Sequence, residues 1–152
     1  MFGSNNQIQA GFGDDVINAF GDYNTISGGF GDDTINALGI GDVVKTGYGN
    51  DSVNVVGFAD TVEAGYQGVG EAQITVGGAA FTFSEGPQFF ADTIVGFDQQ
   101  AGDRIQLTTE SAHDAIAHST QVNHGQDTLI TLNDGSTILL KGVGHINTGF
   151  FS

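Results

Sequence analysis

The sequence predicts an all-β fold in which a parallel β-roll solenoid is followed by a β-rich C-terminal cap with one short helix. Two observations predict the roll: branched aliphatic residues recur every nine residues, and glycines recur every eighteen. A third, the loss of both periods after Gly65, predicts the cap. We therefore expect a roll over residues 1–68, with eighteen residues and two short strands per coil, and a capping and secretion-signal domain over residues 69–152.

The nine-residue period places one aliphatic residue in each predicted strand. These residues are Ile8, Ile17, Ile26, Ile35, Val44, Val53 and Val62. Two residues before each stands an Asn or Asp: Asn6, Asp15, Asn24, Asp33, Asp42, Asp51 and Asp60. Apolar and polar residues alternate around each aliphatic, which is typical of a short strand with one buried face. A recurrence of this kind without insertions identifies a repeat protein.

The eighteen-residue period shows that successive turns differ. Two sets of glycines have this spacing: Gly11, Gly29, Gly47 and Gly65, and Gly3, Gly21, Gly39 and Gly57. One coil therefore contains two strands and two kinds of turn. A left-handed helix of hexapeptide repeats also has eighteen residues per coil, but it requires aliphatic residues every six positions and does not fit.

The turns on the first edge of the predicted roll combine glycines with aspartates. They cover residues 11–15, 29–33 and 47–51, and each ends in Asp15, Asp33 or Asp51. Glycine permits positive φ, which turns backbone carbonyls inward. Coils stacked about 4.8 Å apart bring the oxygens of neighbouring turns together. Six to eight oxygen ligands suit calcium, whereas magnesium requires a tighter octahedron and retains its water.

The stretch from Gly28 to Asn36 matches the nonapeptide GGxGxDxUx at every specified position. Residues 10–18 and 46–54 match with only the first glycine replaced. The sequence thus resembles the repeats-in-toxin (RTX) family. The resemblance implies a right-handed parallel β-roll with calcium bound between adjacent coils. The metal-binding residues it implies are Gly11, Gly13, Asp15, Gly29, Gly31, Asp32, Asp33, Gly47, Gly49, Asn50 and Asp51.

The turns on the second edge depart from the family pattern. Their glycines fall one position late, and apolar residues occupy the position of the second glycine. Short polar side chains readily hydrogen-bond to turn backbone, so we expect Asn6, Asn24, Asp42 and Asp60 to form a ladder, with calcium mainly on the first edge. Five aspartates remain possible further metal ligands: Asp42, Asp60, Asp92, Asp98 and Asp103. The last three have the alternative role of beginning turns or pairing with Arg104.

Aromatic residues form a further eighteen-residue column on the first edge: Phe12, Phe30, Tyr48 and Tyr66. Rings stack readily at the spacing of strands, so the column is expected to shield the turns. The alternative is a platform that binds sugar rings or a partner protein.

The cap contains several predicted elements. Residues 73–76 and 80–83 are typical of strands joined by Gly77 and Gly78, and a helix is expected at about residues 111–119. Strands over 127–132 and 137–143 flank the hairpin signal of residues 133–136. Residues 91–98 and 102–107 resemble the region that follows RTX repeats in serralysin-type proteins. By the same resemblance, residues 147–152 are a type I secretion signal, with a last strand of the cap as the alternative.

Composition excludes several classes of function. Eighteen acidic and three basic residues give a formal net charge of -15, which disfavours binding to nucleic acid. No apolar run reaches the ~18 residues of a membrane span, so we expect no membrane insertion. Catalysis is not expected either: His113 and His118 lack the HExxH spacing, no GxSxG elbow exists, and cysteine is absent.

Taken together, these features predict a non-enzymatic calcium-binding module that folds outside the cell. The resemblance implies that it supports type I secretion and folding of a larger secreted protein, with the cap nucleating the roll. The alternative is an adhesin-like or carbohydrate-binding roll that uses the aromatic column.

Overall fold

A computed structural model describes residues 1–63, 72–79, 82–84, 91–107 and 110–152, and it confirms the all-β class. The strands are β1 (Gln7–Phe12), β2 (Val16–Phe20), β3 (Thr25–Phe30), β4 (Thr34–Ile40), β5 (Val43–Tyr48), β6 (Asp51–Phe58), β7 (Thr61–Glu63), β8 (Ala72–Ala79), β9 (Thr82–Ser84), β10 (Ala91–Val95), β11 (Arg104–Gln106), β12 (Ser119–Val122), β13 (Asp127–Thr131) and β14 (Thr137–Lys141). One short α-helix, α1, covers Ala112–Ala117.

The strands form two sheets whose members alternate along the chain, as a solenoid requires. One sheet has six strands in the order β1-β3-β5-β7-β9-β11, and the other has eight in the order β12-β13-β14-β10-β8-β6-β4-β2. From β1 to β7 each strand pairs in parallel with the strand eighteen residues away, as Ile8 with Ile26 and Ile17 with Ile35. The predicted coil length is therefore confirmed in this part of the chain.

The core lies between the two sheets and consists of the aliphatic columns. Ile26, Ile35, Val44 and Val62 are fully buried, whereas Val16, on the opposite face of its strand from Ile17, is 72% exposed. Burial of these side chains is the main apolar contribution to stability. The predicted alternation of inward and outward residues is confirmed.

The parallel pairing continues across residue 68 with longer coils. Val53 pairs with Ile74 and Ile74 with Ile94, at spacings of twenty-one and twenty residues. On the other sheet Val62 pairs with Phe83, and Phe83 with Ile105. The division of the chain at residue 68 stays a prediction. The expectation that Gly77 and Gly78 form a turn is wrong, because both lie within β8 and pair with β6.

The C-terminal cap closes the eight-stranded sheet with antiparallel strands. β14 pairs with β10 in parallel, and β13 and β12 then add in antiparallel order. The predicted hairpin is confirmed, with Gly135 at a φ of 92° in its turn. The Ser111 side chain caps α1 by accepting from the Asp114 amide.

The last residues cover the end of the six-stranded sheet. Thr148–Phe150 forms a 3-10 turn, Phe151 bridges to Ile105, and the Ser152 amide donates to the Ile105 carbonyl at 3.0 Å. Phe150 is buried and stacks on Phe97 with 5.6 Å between ring centroids. This segment completes the cap, and its role in secretion stays a prediction. Among the helices of the described ranges, none is both long and apolar enough to cross a bilayer.

Candidate metal centre

Glycines hold the first-edge turns in a backbone conformation that L-residues rarely adopt. Positive φ angles between 106° and 128° occur at Gly11, Gly13, Gly29, Gly31, Gly47 and Gly49. Steric crowding also requires glycine at these positions, because a Cβ on Gly31 would overlap the carbonyl oxygen of Gly13 in the preceding coil. The turns therefore stack in close backbone contact.

Backbone and carboxylate hydrogen bonds join successive turns on this edge. Asp33 Oδ1 accepts from the Asp15 amide at 2.9 Å, and Asp51 Oδ1 accepts from the Asp33 amide at 2.9 Å. One position earlier the direction is reversed: Asp14 Oδ1 accepts from Asp32, and Asp32 Oδ1 from Asn50. The carboxylate ladder that we expected on the second edge is thus present on the first edge as well.

The other carboxylate oxygens identify the candidate metal ligands. Asp15 Oδ2 and Asp33 Oδ2 are buried and accept no hydrogen bond, and Asp33 as a residue is only 1% exposed. A buried carboxylate oxygen without a partner costs free energy. Burial is the largest effect on Asp33 and raises its pKa, and the neighbouring carboxylates of Asp15, Asp14 and Asp32 add to the rise.

The third first-edge aspartate is better satisfied by the protein. The Thr46 side chain hydrogen-bonds to the Asp51 carboxylate, and neither Asp51 oxygen is among the buried, unpartnered atoms of the described residues. Burial still raises the pKa of Asp51.

The donor set fits the calcium ion that the RTX resemblance implies. Orphaned carboxylate oxygens belong to the glycine turns, and these oxygens together with backbone carbonyls of the same turns are the hard ligands that suit calcium. Asp15 and Asp33, with carbonyls of the turns at residues 11–13 and 29–31, would hold the ion. Bound there, calcium would neutralise stacked negative charge and relieve the penalty of burying it.

The second edge has a different turn but a similar ladder. Residues before the ladder position adopt left-handed φ, as at Tyr23 and Ala59. Asn24 Oδ1, Asp42 Oδ1 and Asp60 Oδ1 accept, respectively, from the amides of Asn6, Asn24 and Asp42, which confirms the predicted ladder. Burial raises the pKa of Asp42, and it raises the pKa of Asp60 to about 6.

The structure does not bring the three cap aspartates together. Asp92 lies in β10, two residues before the buried Ile94, whereas Asp98 begins a 3-10 turn by accepting from the Gln100 amide. Asp103 Oδ2 accepts from the Asp98 amide at 2.9 Å. Within the described ranges no three His, Cys, Asp or Glu side chains converge as a metal cluster.

The aromatic column is a stack of nearly parallel rings. Phe12 and Phe30 have centroids 4.9 Å apart, and Phe30 and Tyr48 have centroids 4.4 Å apart, with interplanar angles of 9° and 8°. Neighbouring rings therefore cover each other's faces, while Phe12 is 86% and Phe30 46% exposed. The shielding role and the platform role both stay predictions. Tyr66 lies outside the described residues.

Sequence analysis named Asp92 and Asp103 only as possible metal ligands or turn residues, and it missed that they continue the ladder positions into the longer coils. Asp92 precedes Ile94 and Asp103 precedes Ile105 by two residues, the same spacing as Asp33 and Ile35, and both are buried like the repeat aspartates. That spacing is the signal that could have found them. Asp14, whose Oδ1 accepts from the Asp32 amide, was not named, although Asp32 and Asn50 at the equivalent position were.

The fold and these turns define a class: a parallel β-roll whose stacked turns bury carboxylates. No protein-family model matches the chain, and no curated protein matches it. Among solved structures, the chain is similar to the extracellular lipase LipA from Serratia marcescens, with 14% identity and a TM-score of 0.42. The similarity covers 97% of this chain but 38% of the lipase chain. At this TM-score it carries no argument, and the fold assignment rests on the strand pairing.

Proposed function

We propose that the chain is a calcium-binding RTX-type module that folds when calcium is bound outside the cell. In this proposal the module supports type I secretion and folding of a larger secreted protein, and it performs no catalysis itself. The observation that carries the proposal is the pair of buried, unpartnered carboxylate oxygens of Asp15 and Asp33 on adjacent glycine turns.

The charge distribution explains why a cation is needed. Within the described residues, ion pairs join Lys45 to Glu63 and Lys141 to Asp127, and neither includes an aspartate of the turns. The formal net charge of -15 adds general repulsion to the compact state. Calcium is the cation whose ligand preference matches the carboxylates and carbonyls of the turns.

The expected calcium affinity allows the module to be unfolded inside the cell and folded outside it. Extracellular modules bind calcium with dissociation constants of about 10⁻⁴ to 10⁻³ M, so the turns would be empty at cytosolic calcium and filled outside. Each site stabilises the folded state by about 2.7 kcal/mol at a hundredfold excess of calcium over its dissociation constant. One such site is a substantial part of the usual 5–15 kcal/mol stability of a domain.

Far-UV circular dichroism of the chelator-treated chain, with calcium and then magnesium titrated in, tests this proposal. We expect a cooperative gain of β signal with calcium and none with magnesium at equal concentration. Asp33→Ala should shift the calcium midpoint upward by at least about tenfold, because it removes a ligand and a ladder acceptor.

The matched control is Glu63→Ala, which removes one negative charge from the half-buried ion pair with Lys45, away from the turns. It should leave the calcium midpoint nearly unchanged. A chain that is fully folded in chelator, with a calcium response that Asp33→Ala does not alter, would contradict the proposal.

A further inference from the structure

Three equivalent positions precede the first-edge turns, and they carry different side chains. Gly28 and Thr46 are buried there, whereas Ala10, in the end coil, is exposed. Ala10, Gly28 and Thr46 are eighteen residues apart, and each precedes its turn aspartate by five residues. Among them, Thr46 has a hydrogen-bonding side chain. It is 1% exposed, so its hydroxyl faces the interior of the turn and not solvent.

Whether each turn aspartate has a hydrogen-bond partner for its second oxygen depends on the residue at this position. Asp51, below Thr46, accepts from the Thr46 side chain and from the Asp33 amide. Asp33 has Gly28 at the equivalent place, and its Oδ2 is orphaned. The methyl group of Ala10 cannot donate a hydrogen bond, and Asp15 Oδ2 is orphaned as well.

Gly28 also shows that space at this position is shared with the carboxylate. A Cβ on Gly28 would overlap Asp33 Oδ2 and would lie 2.5 Å from the Thr46 carbonyl oxygen. The orphaned oxygen of Asp33 thus points toward the place that a side chain would otherwise fill. In the third coil the carboxylate and a hydroxyl share this region and satisfy each other.

We infer that no calcium site forms at Asp51, because the Thr46 hydroxyl donates to the Asp51 carboxylate. At Asp15 and Asp33, which lack such a donor, calcium binds the carboxylates instead. Calcium is then held by the first two turn aspartates, and Asp51 contributes little to its affinity. This inference rests on the proposed calcium function and adds which coils of the edge take the ion.

Calcium binding to the full chain, measured by isothermal titration calorimetry and equilibrium dialysis, tests the inference. Asp33→Asn should lower calcium affinity by at least about tenfold or remove a site, because it removes a charged ligand. Asp51→Asn should change affinity by less than about threefold, because Asp51 is not a ligand in this inference. Thr46→Gly, which reproduces the second coil, should add one bound ion per chain.

Thr46→Ser and Thr46→Val separate the hydroxyl from the packing of the side chain. In saturating calcium, Thr46→Val should lower the Tm and Thr46→Ser should not, because only the valine leaves an Asp51 oxygen without a donor. Thr46→Ser should also keep the wild-type calcium stoichiometry.

The possible results test the role of Thr46 separately from the proposed calcium-binding function. Equal losses of calcium affinity in Asp33→Asn and Asp51→Asn, or unchanged stoichiometry in Thr46→Gly, would overturn the role of Thr46 and leave the calcium function standing. A wild-type chain that binds no calcium at 10 mM, an order of magnitude above the range of about 10⁻⁴ to 10⁻³ M, would overturn both.

Discussion

In the second-edge ladder, an asparagine amide donates hydrogen bonds that an aspartate carboxylate at the equivalent position cannot donate. Asn24 Nδ2 donates to the Gly21 carbonyl at 2.6 Å and to Asp42 Oδ1 at 3.1 Å. In the next coil Asp42 presents Oδ2 instead of an amide nitrogen, and that oxygen is buried without a partner. An ionised aspartate therefore fits this column less well than asparagine. A proton or a cation is needed to make up the difference.

The ladder aspartates predict that the folded chain, at a fixed and saturating calcium concentration, becomes more stable on mild acidification. Folded-state pKa values are raised for Asp42 and, to about 6, for Asp60, against an ordinary value of 3.8. The folded state thus holds these protons more tightly, so this stabilisation is complete below pH 3.8 and is lost as pH rises toward 6. Asp127 and Asp114 have lowered pKa values, and their opposite contribution is lost only as pH falls through those values, below 3.8.

Thermal unfolding at a fixed, saturating calcium concentration measures this effect. We expect the Tm to rise by about 5 °C between pH 7.5 and pH 5, since one unit of pKa shift corresponds to about 1.4 kcal/mol. Asp42→Asn, which can donate as Asn24 does, should raise the Tm at pH 7.5 and flatten the profile. A Tm that falls steadily from pH 7.5 to pH 5 would show that burial of these carboxylates does not control stability.

At the scale of the element, the first-edge turn depends on two separate properties of glycine. Gly31 has a φ of 127°, and a Cβ there would meet the backbone of the preceding coil. Gly142, in the cap, also has positive φ, at 77°, but a Cβ there would meet nothing within 4 Å. A comparison of substitutions at the two glycines therefore separates the cost of a positive φ from the cost of steric overlap.

Gly31→Ala should therefore destabilise the chain more than Gly142→Ala. We expect about 1–2 kcal/mol for Gly142→Ala, from the left-handed conformation alone, and at least about 3 kcal/mol for Gly31→Ala, because backbone atoms must also move. Urea unfolding in saturating calcium gives both values. Equal losses would mean that neighbouring turns adjust to a methyl group without strain.

The strands of the first seven rows could be predicted from the sequence because one rule decides them. An aliphatic residue every nine positions, as Ile26 and Ile35, fixes both the strand and its buried face. Later strands obey the same pairing, but their coils are longer, so a search for a fixed period cannot find β8 to β11. Tertiary pairing between Val53 and Ile74 restores the register that the linear sequence hides.

The candidate site was predicted in part. Asp15, Asp33 and Asp51 stand out because their spacing and the glycines beside them identify the turn. That the carboxylates of Asp33 and Asp51 each give one oxygen to the backbone of the preceding coil, and that Thr46 satisfies Asp51, depends on contacts between coils. Such contacts are not encoded in any local pattern of the chain.

At the scale of the molecule, the C-terminal end closes both sheets. Antiparallel β12–β14 end the eight-stranded sheet, and Phe151 bridges to β11 of the six-stranded sheet. Covered ends are what a solenoid requires to remain a soluble unit with defined length. The cap also contributes buried core residues, among them Ile130, Ile138 and Leu140.

Removal of the cap tests whether it nucleates the roll. A chain truncated after residue 90 loses β10 and β11 and exposes the edges of β8 and β9, so we expect no gain of β signal in calcium up to about 10 mM, well above the usual range of extracellular sites. Circular dichroism alongside the full chain provides the measurement. If the truncated chain folds at the same calcium midpoint, the cap is not required for nucleation.

The unequal coil lengths have a consequence for how this chain tolerates change. Ile35 and Val53 are eighteen residues apart, Val53 and Ile74 twenty-one, and Ile74 and Ile94 twenty, yet all four occupy one buried column. The sheets fix which side chains are neighbours, and the segments between strands take up the difference in length. Insertions between strands are therefore compatible with the roll, whereas one residue added inside β4 would reverse its two faces. The number of residues between strands can therefore change while the side chains of the buried column remain neighbours.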